Sequence, residues 1–144
     1  MNHSLNLQND LDEITVLGEW MEQLGETYSI PADDLFQLNM VLEEAVVNVV
    51  DYAYPGQTGM PITLDVSTDG KVFDFVLTDE GVPFDPTTDS SEPDIEQGAE
   101  ERPIGGLGIY LVKQYMRDVR YRRENGKNIL SMTYELGAMS DLEI

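Results

Sequence analysis

The sequence predicts an α+β fold, a two-layer sandwich in which three helices cover one face of a mixed, mostly antiparallel sheet. Three segments repeat apolar residues every three or four positions, which is typical of helices that bury one side. Other segments have strand-like patterns, and two pairs of them are joined by Asp69-Gly70 and Asn125-Gly126, sequences that favour hairpin turns. With 144 residues, the chain is expected to form one domain over residues 1–144.

Local signals set the limits of each predicted element. Asn9 or Asp10 can cap the first helix, and Gly25 lies near its end. Pro31 suits the first turn of the second helix, which Pro55-Gly56 stop. The predicted order is a short strand at 5–8, the first and second helices, strands at 61–68 and 71–78, a third helix that ends near 117, and strands at about 119–124 and 128–136.

The composition excludes several classes of protein. The net charge of −20 repels nucleic-acid phosphate, so no direct DNA or RNA partner is expected. There is no cysteine, and hence no disulfide framework or thiolate metal site. No signal peptide and no run of eighteen apolar residues is found, which predicts a cytoplasmic protein without a membrane partner. The acidity fits either a basic protein partner or a role in solubility.

The most informative stretch is the run Glu-Ala-Val-Val-Asn at 44–48. Because positions i and i+4 share one face of a helix, Glu44 and Asn48 project from the same side of an otherwise apolar run. A hard amide oxygen for a metal and a carboxylate that can take a proton suit a magnesium-nucleotide site. The alternative is a solvated glutamate beside a capping-type asparagine.

Two further segments point to the same chemistry. Asp79 comes where a strand leaves the sheet and can accept a hydrogen bond from an exocyclic amine such as that of adenine, while Gly81 lets the backbone approach a flat ring. The turn from Gly105 to Gly108 opens the third helix and offers free N–H groups to phosphates. Each segment also has a simpler interpretation as an ordinary turn.

Taken together and in this order, the three segments resemble the GHKL ATPase superfamily: residues 44–48 are similar to its N box, 79–83 to its first glycine box and 105–108 to its second. The likeness is to the RsbW-type anti-sigma-factor serine kinases, because the Glu-Ala-x-x-Asn core is followed by Tyr54-Pro55 in a chain of single-domain length. The resemblance implies the GHKL (Bergerat-type) fold, with residues 86–104 as the nucleotide lid.

The resemblance also implies a role for each matching residue. Glu44 would be the catalytic base, Asn48 would bind Mg²⁺, and Asp79 would bind the adenine of ATP. Gly81 and Pro83 would shape the adenine pocket, and Arg102 or Lys113 would neutralise charge on the transferred group. The remaining positions predicted to contact the nucleotide are Tyr52, Gly105, Gly106, Leu107 and Gly108.

Two positions depart from the family pattern. Many relatives have a histidine where Asp51 precedes Tyr52. The family often has a threonine in the last strand, and Ser131 and Thr133 leave open which residue takes its place.

The resemblance implies two protein partners, a sigma factor and an anti-sigma-factor antagonist whose serine is phosphorylated, and it implies a homodimer. Two alternatives stay open: a non-catalytic protein whose nucleotide sets the shape of a binding surface, and a switch kinase that acts on another regulatory scaffold. A sensor histidine kinase is disfavoured because His3, the single histidine, has no helical phosphoacceptor segment around it.

Overall fold

Five strands and three helices make up the part of the chain that the computed structural model describes, residues 1–86 and 108–137, with side chains from 112 onward in the second range. A 3-10 turn at Leu11–Glu13 leads into the first helix. The elements are β1 (Asn2–Gln8), α1 (Ile14–Tyr28), α2 (Ala32–Tyr52), β2 (Pro61–Thr68), β3 (Val72–Asp79), α3 (Gly108–Tyr115), β4 (Arg117–Glu124) and β5 (Lys127–Glu135).

The strands form one sheet in the order β1-β2-β3-β5-β4. The α+β prediction is confirmed, and all four pairings between described strands are antiparallel. Alternate residues of β2, β3 and β5 are buried in the same core as the inner faces of the helices. The strand residues with less than 4% exposure in this core are Leu7, Ile62, Leu64, Val66, Phe73, Phe75, Leu77, Met132 and Tyr134. One face of the sheet therefore carries the helices, as predicted.

The first helix differs from its predicted limits at both ends. Asp10 caps the 3-10 turn, where its side chain accepts a hydrogen bond of 2.9 Å from the N–H of Asp12, and α1 proper begins at Ile14. The helix passes Gly25 and ends at Tyr28, because Ser29 takes a left-handed conformation with φ of 51°. The left-handed residue is a serine rather than the usual glycine, so composition gave no signal for this end.

The second helix follows the predicted pattern closely. It begins at Ala32, directly after Pro31, and ends at Tyr52, shortly before Pro55. The third helix ends at Tyr115, two residues before the predicted limit, because β4 already begins at Arg117. No helix in the described ranges is both long enough and apolar enough to span a membrane.

A buried hydrogen bond holds the start of α2 against the sheet. The hydroxyl of Tyr134 on β5 donates to Oδ1 of Asp34 at 2.7 Å, and the N–H of Gly137 donates to the same oxygen at 3.2 Å. Burial, followed by the nearby Asp34 carboxylate, raises the pKa of Tyr134. This contact fixes where α2 begins relative to the sheet and hence the side that its later residues present to the core.

Candidate functional site

A cleft lies between the second half of α2 and the adjoining ends of β3 and β5. Its walls combine apolar side chains with four side chains that carry polar groups, each from a different element. The lining residues are Ala45, Asn48, Val49, Leu77, Asp79, Phe84, Pro86, Tyr121, Asn128 and Leu130. Apolar walls with a few convergent polar groups are typical of small-molecule sites.

Asn48 is the polar residue that α2 contributes to this cleft. It lies on the inner side of the helix between Ala45 and Val49, and its exposure is 4%. Its carboxamide makes no hydrogen bond to any residue in the described ranges. Burial of an amide without a partner costs roughly 1–3 kcal/mol in proteins. A buried amide that lines a cleft under these conditions indicates a ligand.

Asp79, the last residue of β3, is the second buried polar group, with 5% exposure. Its Oδ1 accepts hydrogen bonds from the N–H of Gly81 at 2.9 Å and from Nδ2 of Asn128 at 2.8 Å. Within the described residues, Oδ2 accepts none. Burial raises the pKa of Asp79, and the hydrogen bonds from Asn128 and Gly81 oppose this rise. The carboxylate therefore keeps one oxygen available for a donor on a ligand.

Gly81 is needed for the packing of the protein itself. A Cβ at this position would lie 2.1 Å from the carbonyl oxygen of Ala53, the residue after α2. The same carbonyl accepts a hydrogen bond of 2.8 Å from the N–H of Val82, and the hydroxyl of Tyr54 accepts one of 2.6 Å from the N–H of Glu80. The segment after β3 is thus fastened to the end of α2. Whether Gly81 also admits a flat ring stays a prediction.

Aromatic contacts cover one side of the cleft. Phe84 lines it and stacks on Tyr52 of α2, with ring centroids 5.2 Å apart and an angle of 25° between the rings. Pro83 is exposed and, like Gly81 and Tyr52, is absent from the described lining residues. Phe84 is instead the aromatic side chain that the segment after β3 contributes to the wall.

Glu44 lies one helical turn before Asn48 and does not line the cleft. It is half-buried. Burial is the main cause that raises the pKa of Glu44, and the negative charges of Glu43 and Asp51 raise it further. This change brings the carboxylate closer to the range in which a general base works near neutral pH.

The structure brings together Asn48 and Asp79, with Glu44 and Tyr52 one turn away on either side of Asn48. The third helix begins at Gly108, as predicted for the last glycine of the turn. Arg102, Gly105, Gly106 and Leu107 lie outside the described residues, as does the predicted lid except for Pro86. The phosphate-binding part of the prediction therefore stays a prediction.

Sequence reasoning missed Asn128, which is 4% exposed and stands directly opposite Asp79 in the pairing of β3 with β5. The two hydroxyls considered for the last strand lie elsewhere. Thr133 donates to the exposed Asp74 at 2.7 Å, and Ser131 pairs with Val76. No local signal could have found Asn128, because the pairing of β3 with β5 that places it across from Asp79 belongs to neither hairpin and joins residues 49 positions apart.

An α+β domain whose apolar cleft holds a buried carboxamide and a buried carboxylate is of the nucleotide-binding class that the motifs predict. A family model described as "Histidine kinase-like ATPase domain" matches residues 7–134, and the chain belongs to this family. The resemblance to the GHKL ATPases is thereby confirmed.

Several relatives are named serine-protein kinases. RsbW of Bacillus mycoides is 30% identical over 105 residues, which cover 71% of this chain and 65% of the relative, slightly less than two thirds of its length. The serine/threonine-protein kinase BtrW of Bordetella bronchiseptica is 26% identical over 114 residues, which cover 79% of this chain and 80% of the relative.

Solved structures confirm the fold. The crystal structure of the RsbU and RsbW domains of a Mycobacterium tuberculosis protein has a TM-score of 0.66 at 12% identity, covering 94% of this chain and 32% of the other. The histidine kinase domain of a blue-light activated histidine kinase from Erythrobacter litoralis has a TM-score of 0.55 at 15% identity. The match covers 88% of this chain and 64% of the other.

The contact between Gly81 and α2 gives the first testable prediction. Gly81→Ala should lower the free energy of unfolding by about 3 kcal/mol or more, because a backbone carbonyl cannot move aside as a flexible side chain can. Urea unfolding followed by circular dichroism measures the change. Gly18→Ala in α1 is the control: its Cβ would meet nothing within 4 Å, so stability should rise by up to about 1 kcal/mol. Equal effects of the two substitutions would contradict the prediction.

Proposed function

We propose that this chain is an ATP-binding, anti-sigma-factor-like serine-protein kinase. It would bind a sigma factor and phosphorylate a serine of an anti-sigma-factor antagonist. The observation that carries the proposal is the pair of buried polar groups, Asn48 and Asp79, which line one cleft and each keep an oxygen without a donor or cation in the described residues. Membership of an ATPase family and relatives named serine-protein kinases support it.

The Asp79 end of the cleft fits adenine. The free Oδ2 of Asp79 can accept a hydrogen bond, and the exocyclic amine of adenine can donate one. Leu77 and Leu130 line the same cleft and can contact the faces and edge of a planar ring. A base without an amino group would leave the buried carboxylate oxygen unsatisfied, which costs binding free energy.

The Asn48 end fits a hard cation. An amide oxygen is a ligand type that Mg²⁺ accepts, and Mg²⁺ commonly keeps water and substrate phosphates as its other ligands. Within residues 1–86 and 108–137, no three histidine, aspartate or glutamate side chains group as a metal site. Asn48 would therefore hold the metal together with phosphate and water oxygens. Bound Mg-ATP supplies the phosphoryl group that is transferred.

Glu44 would act as the base for the attacking serine. Its carboxylate takes the hydroxyl proton as the serine oxygen forms a bond to the γ-phosphorus, and the bond between that phosphorus and the bridging oxygen breaks to release ADP. The raised pKa of Glu44 makes it a stronger base than an ordinary glutamate. The turn at 105–108 would bind phosphates, and Arg102 or Lys113 would neutralise the charge that develops on the transferred group.

The wider context is part of the same proposal. The net charge of −20 suits a basic patch on a protein partner and disfavours nucleic acid. We propose a cytoplasmic homodimer built from one domain over residues 1–144, with 86–104 as the lid over the nucleotide. These features follow from the resemblance to the RsbW-type kinases.

The decisive experiment has two parts. Calorimetry with ATP should show binding that strengthens when Mg²⁺ is added, and labelled ATP should then transfer phosphate to a serine-bearing antagonist but not to its serine-to-alanine variant. ATP binding without transfer to any antagonist would favour the non-catalytic regulatory protein. Absence of ATP binding at millimolar concentration would overturn the proposal.

Asn48 gives a prediction in which stability and ligand binding move in opposite directions. Asn48→Leu should raise the free energy of unfolding of the nucleotide-free protein by about 1 kcal/mol, because it removes a buried amide that has no partner in the described residues. The same substitution should abolish the gain in ATP affinity on addition of Mg²⁺. Urea unfolding and calorimetry measure the two effects.

Asn39→Leu on the same helix is the matched control for Asn48→Leu. Asn39 does not line the cleft, so its replacement should leave the effect of Mg²⁺ on ATP binding unchanged. Loss of stability in Asn48→Leu together with unchanged Mg²⁺ dependence would show that Asn48 is an ordinary core residue.

Glu44 gives a second prediction. Glu44→Ala should still bind ATP but lose phosphate transfer by about hundredfold or more, because the loss of a general base typically costs this much. Glu22→Ala removes an exposed carboxylate of α1 that is not among the charges raising the pKa of Glu44, and it should transfer at nearly the rate of the original protein. Single-turnover transfer from labelled ATP measures both. Equal rates in the Glu44→Ala and original proteins would remove Glu44 from the chemistry.

The pH dependence of transfer gives a third prediction. Transfer needs Glu44 ionised, so its rate should fall as pH decreases through the raised pKa of Glu44. Asp51→Asn removes a negative charge that raises this pKa, and the acid limb of the rate profile should therefore move to lower pH. Glu26→Gln on α1 is the control, since Glu26 is not among the charges that raise the pKa of Glu44. An acid limb that stays in place in Asp51→Asn would contradict the assignment.

A further inference from the structure

Asn128 makes more side-chain hydrogen bonds than any other residue of the described site. Its Nδ2 donates to Oδ1 of Asp79 at 2.8 Å and to the carbonyl of Val82 at 2.8 Å. Its Oδ1 accepts from the hydroxyl of Tyr121 at 2.6 Å, from the N–H of Phe84 at 3.2 Å and from Arg123 at 3.2 Å. The amide has two N–H donors and two lone pairs on its oxygen, so these five contacts, three of which share the oxygen, use its full capacity.

The chemistry of the neighbours fixes which way the amide faces. A backbone N–H and a guanidinium can only donate, so the atom that meets Phe84 and Arg123 must be the oxygen. A backbone carbonyl can only accept, so the atom that meets Val82 must be the nitrogen. Asp79 is therefore presented with a donor, and the contact stabilises its ionised form, in which the other oxygen accepts.

These contacts also position the wall of the cleft. Asn128 bonds to the carbonyl of Val82 and to the N–H of Phe84, on either side of Pro83. It thereby ties the segment that carries the cleft-lining Phe84 to β5, while Arg123 bonds to the carbonyl of Gly81 at 2.7 Å. One side chain thus determines both the direction of the Asp79 carboxylate and the place of the adjoining wall.

We propose that Asn128 is a positioning residue that gives this cleft its selectivity for a purine with an amino group at position 6. The inference rests on the proposed nucleotide binding and assigns a residue that the sequence motifs do not include. Asn128 has no hydrogen-bonding capacity left for a ligand, so it acts through Asp79. With Oδ1 of Asp79 held by Asn128 and Gly81, Oδ2 remains as the acceptor for the amine.

The experiment compares two ligands by calorimetry in the presence of Mg²⁺: ATP, and purine riboside triphosphate, which has hydrogen in place of the 6-amino group. The original protein should prefer ATP by about tenfold or more, as a hydrogen bond to a charged group provides. In Asn128→Leu this ratio should fall close to one, mainly through weaker binding of ATP, while binding of the analogue changes little. Asn128→Ala should give the same collapse and replaces Asn128→Leu if that variant does not fold.

Two further variants separate positioning from general stability. Asn128→Thr should retain part of the preference, because a hydroxyl can reach the aspartate across this strand pair, as Thr133 reaches Asp74 at 2.7 Å. Thr133→Val removes that second hydrogen bond on the exposed side, away from the cleft, and should leave the ratio unchanged.

The outcomes distinguish this inference from the proposed function. If Asn128→Leu and Asn128→Ala weaken both ligands equally, or keep the full preference for ATP, the positioning role is overturned and the nucleotide site stands. If the original protein binds neither triphosphate, the proposed function and the inference fall together.

Discussion

The second helix is held at both of its ends, by β5 at its start and by the segment after β3 at its end, and the shape of the cleft depends on this double attachment. At its start, the buried Asp34 accepts a hydrogen bond from the hydroxyl of Tyr134 on β5. At its end, the carbonyl of Ala53 accepts a hydrogen bond from the N–H of Val82, and the hydroxyl of Tyr54 accepts one from the N–H of Glu80. The middle of the helix is then held at a fixed place over β3 and β5. Asn48 is presented to the cleft for this reason, and a shift of one residue would turn it to solvent.

Asn48 and Asp79 are buried between α2 and the sheet. Their burial costs free energy of folding, because the described residues do not provide all the hydrogen bonds that the two side chains lose to water. A leucine at Asn48 would suit the surrounding Ala45, Val49 and Leu77 better, since an unpaired amide loses its hydrogen bonds to water. Asp79 is desolvated, yet only one of its oxygens is satisfied. Natural proteins sit little above the stability they need, so such sites usually have a compensating use. The burial of both groups in one cleft is therefore better explained by a ligand than by packing.

Periodicity and turn chemistry predicted most of the fold because both signals are local. The hairpin turn at Asp69-Gly70 predicted the limits of β2 and β3 to within one residue. Pro31 predicted where α2 begins. Gly25 lies within one turn of the end of α1, but the residue that ends the helix is a left-handed serine, Ser29, which no sequence signal indicated. Asn48 and Asp79 were predicted from motifs. Asn128 was not, because its importance arises from a strand pairing across 49 residues of chain.

The charges around the cleft differ between its two ends. Near Asp79, the guanidinium of Arg123 bonds to the carbonyl of Gly81 and partly offsets the carboxylate. Near Glu44, the neighbouring charges that act on it, Glu43 and Asp51, are both negative. A triphosphate at that end would be repelled by these carboxylates, and a divalent cation on Asn48 would remove much of the repulsion. For the proposed Mg-ATP complex, these charges would favour one orientation, with the base at Asp79 and the phosphates toward Glu44. The negative charges of Glu43 and Asp51 also raise the pKa of Glu44. A higher pKa makes Glu44 a stronger base, as the proposed proton transfer requires.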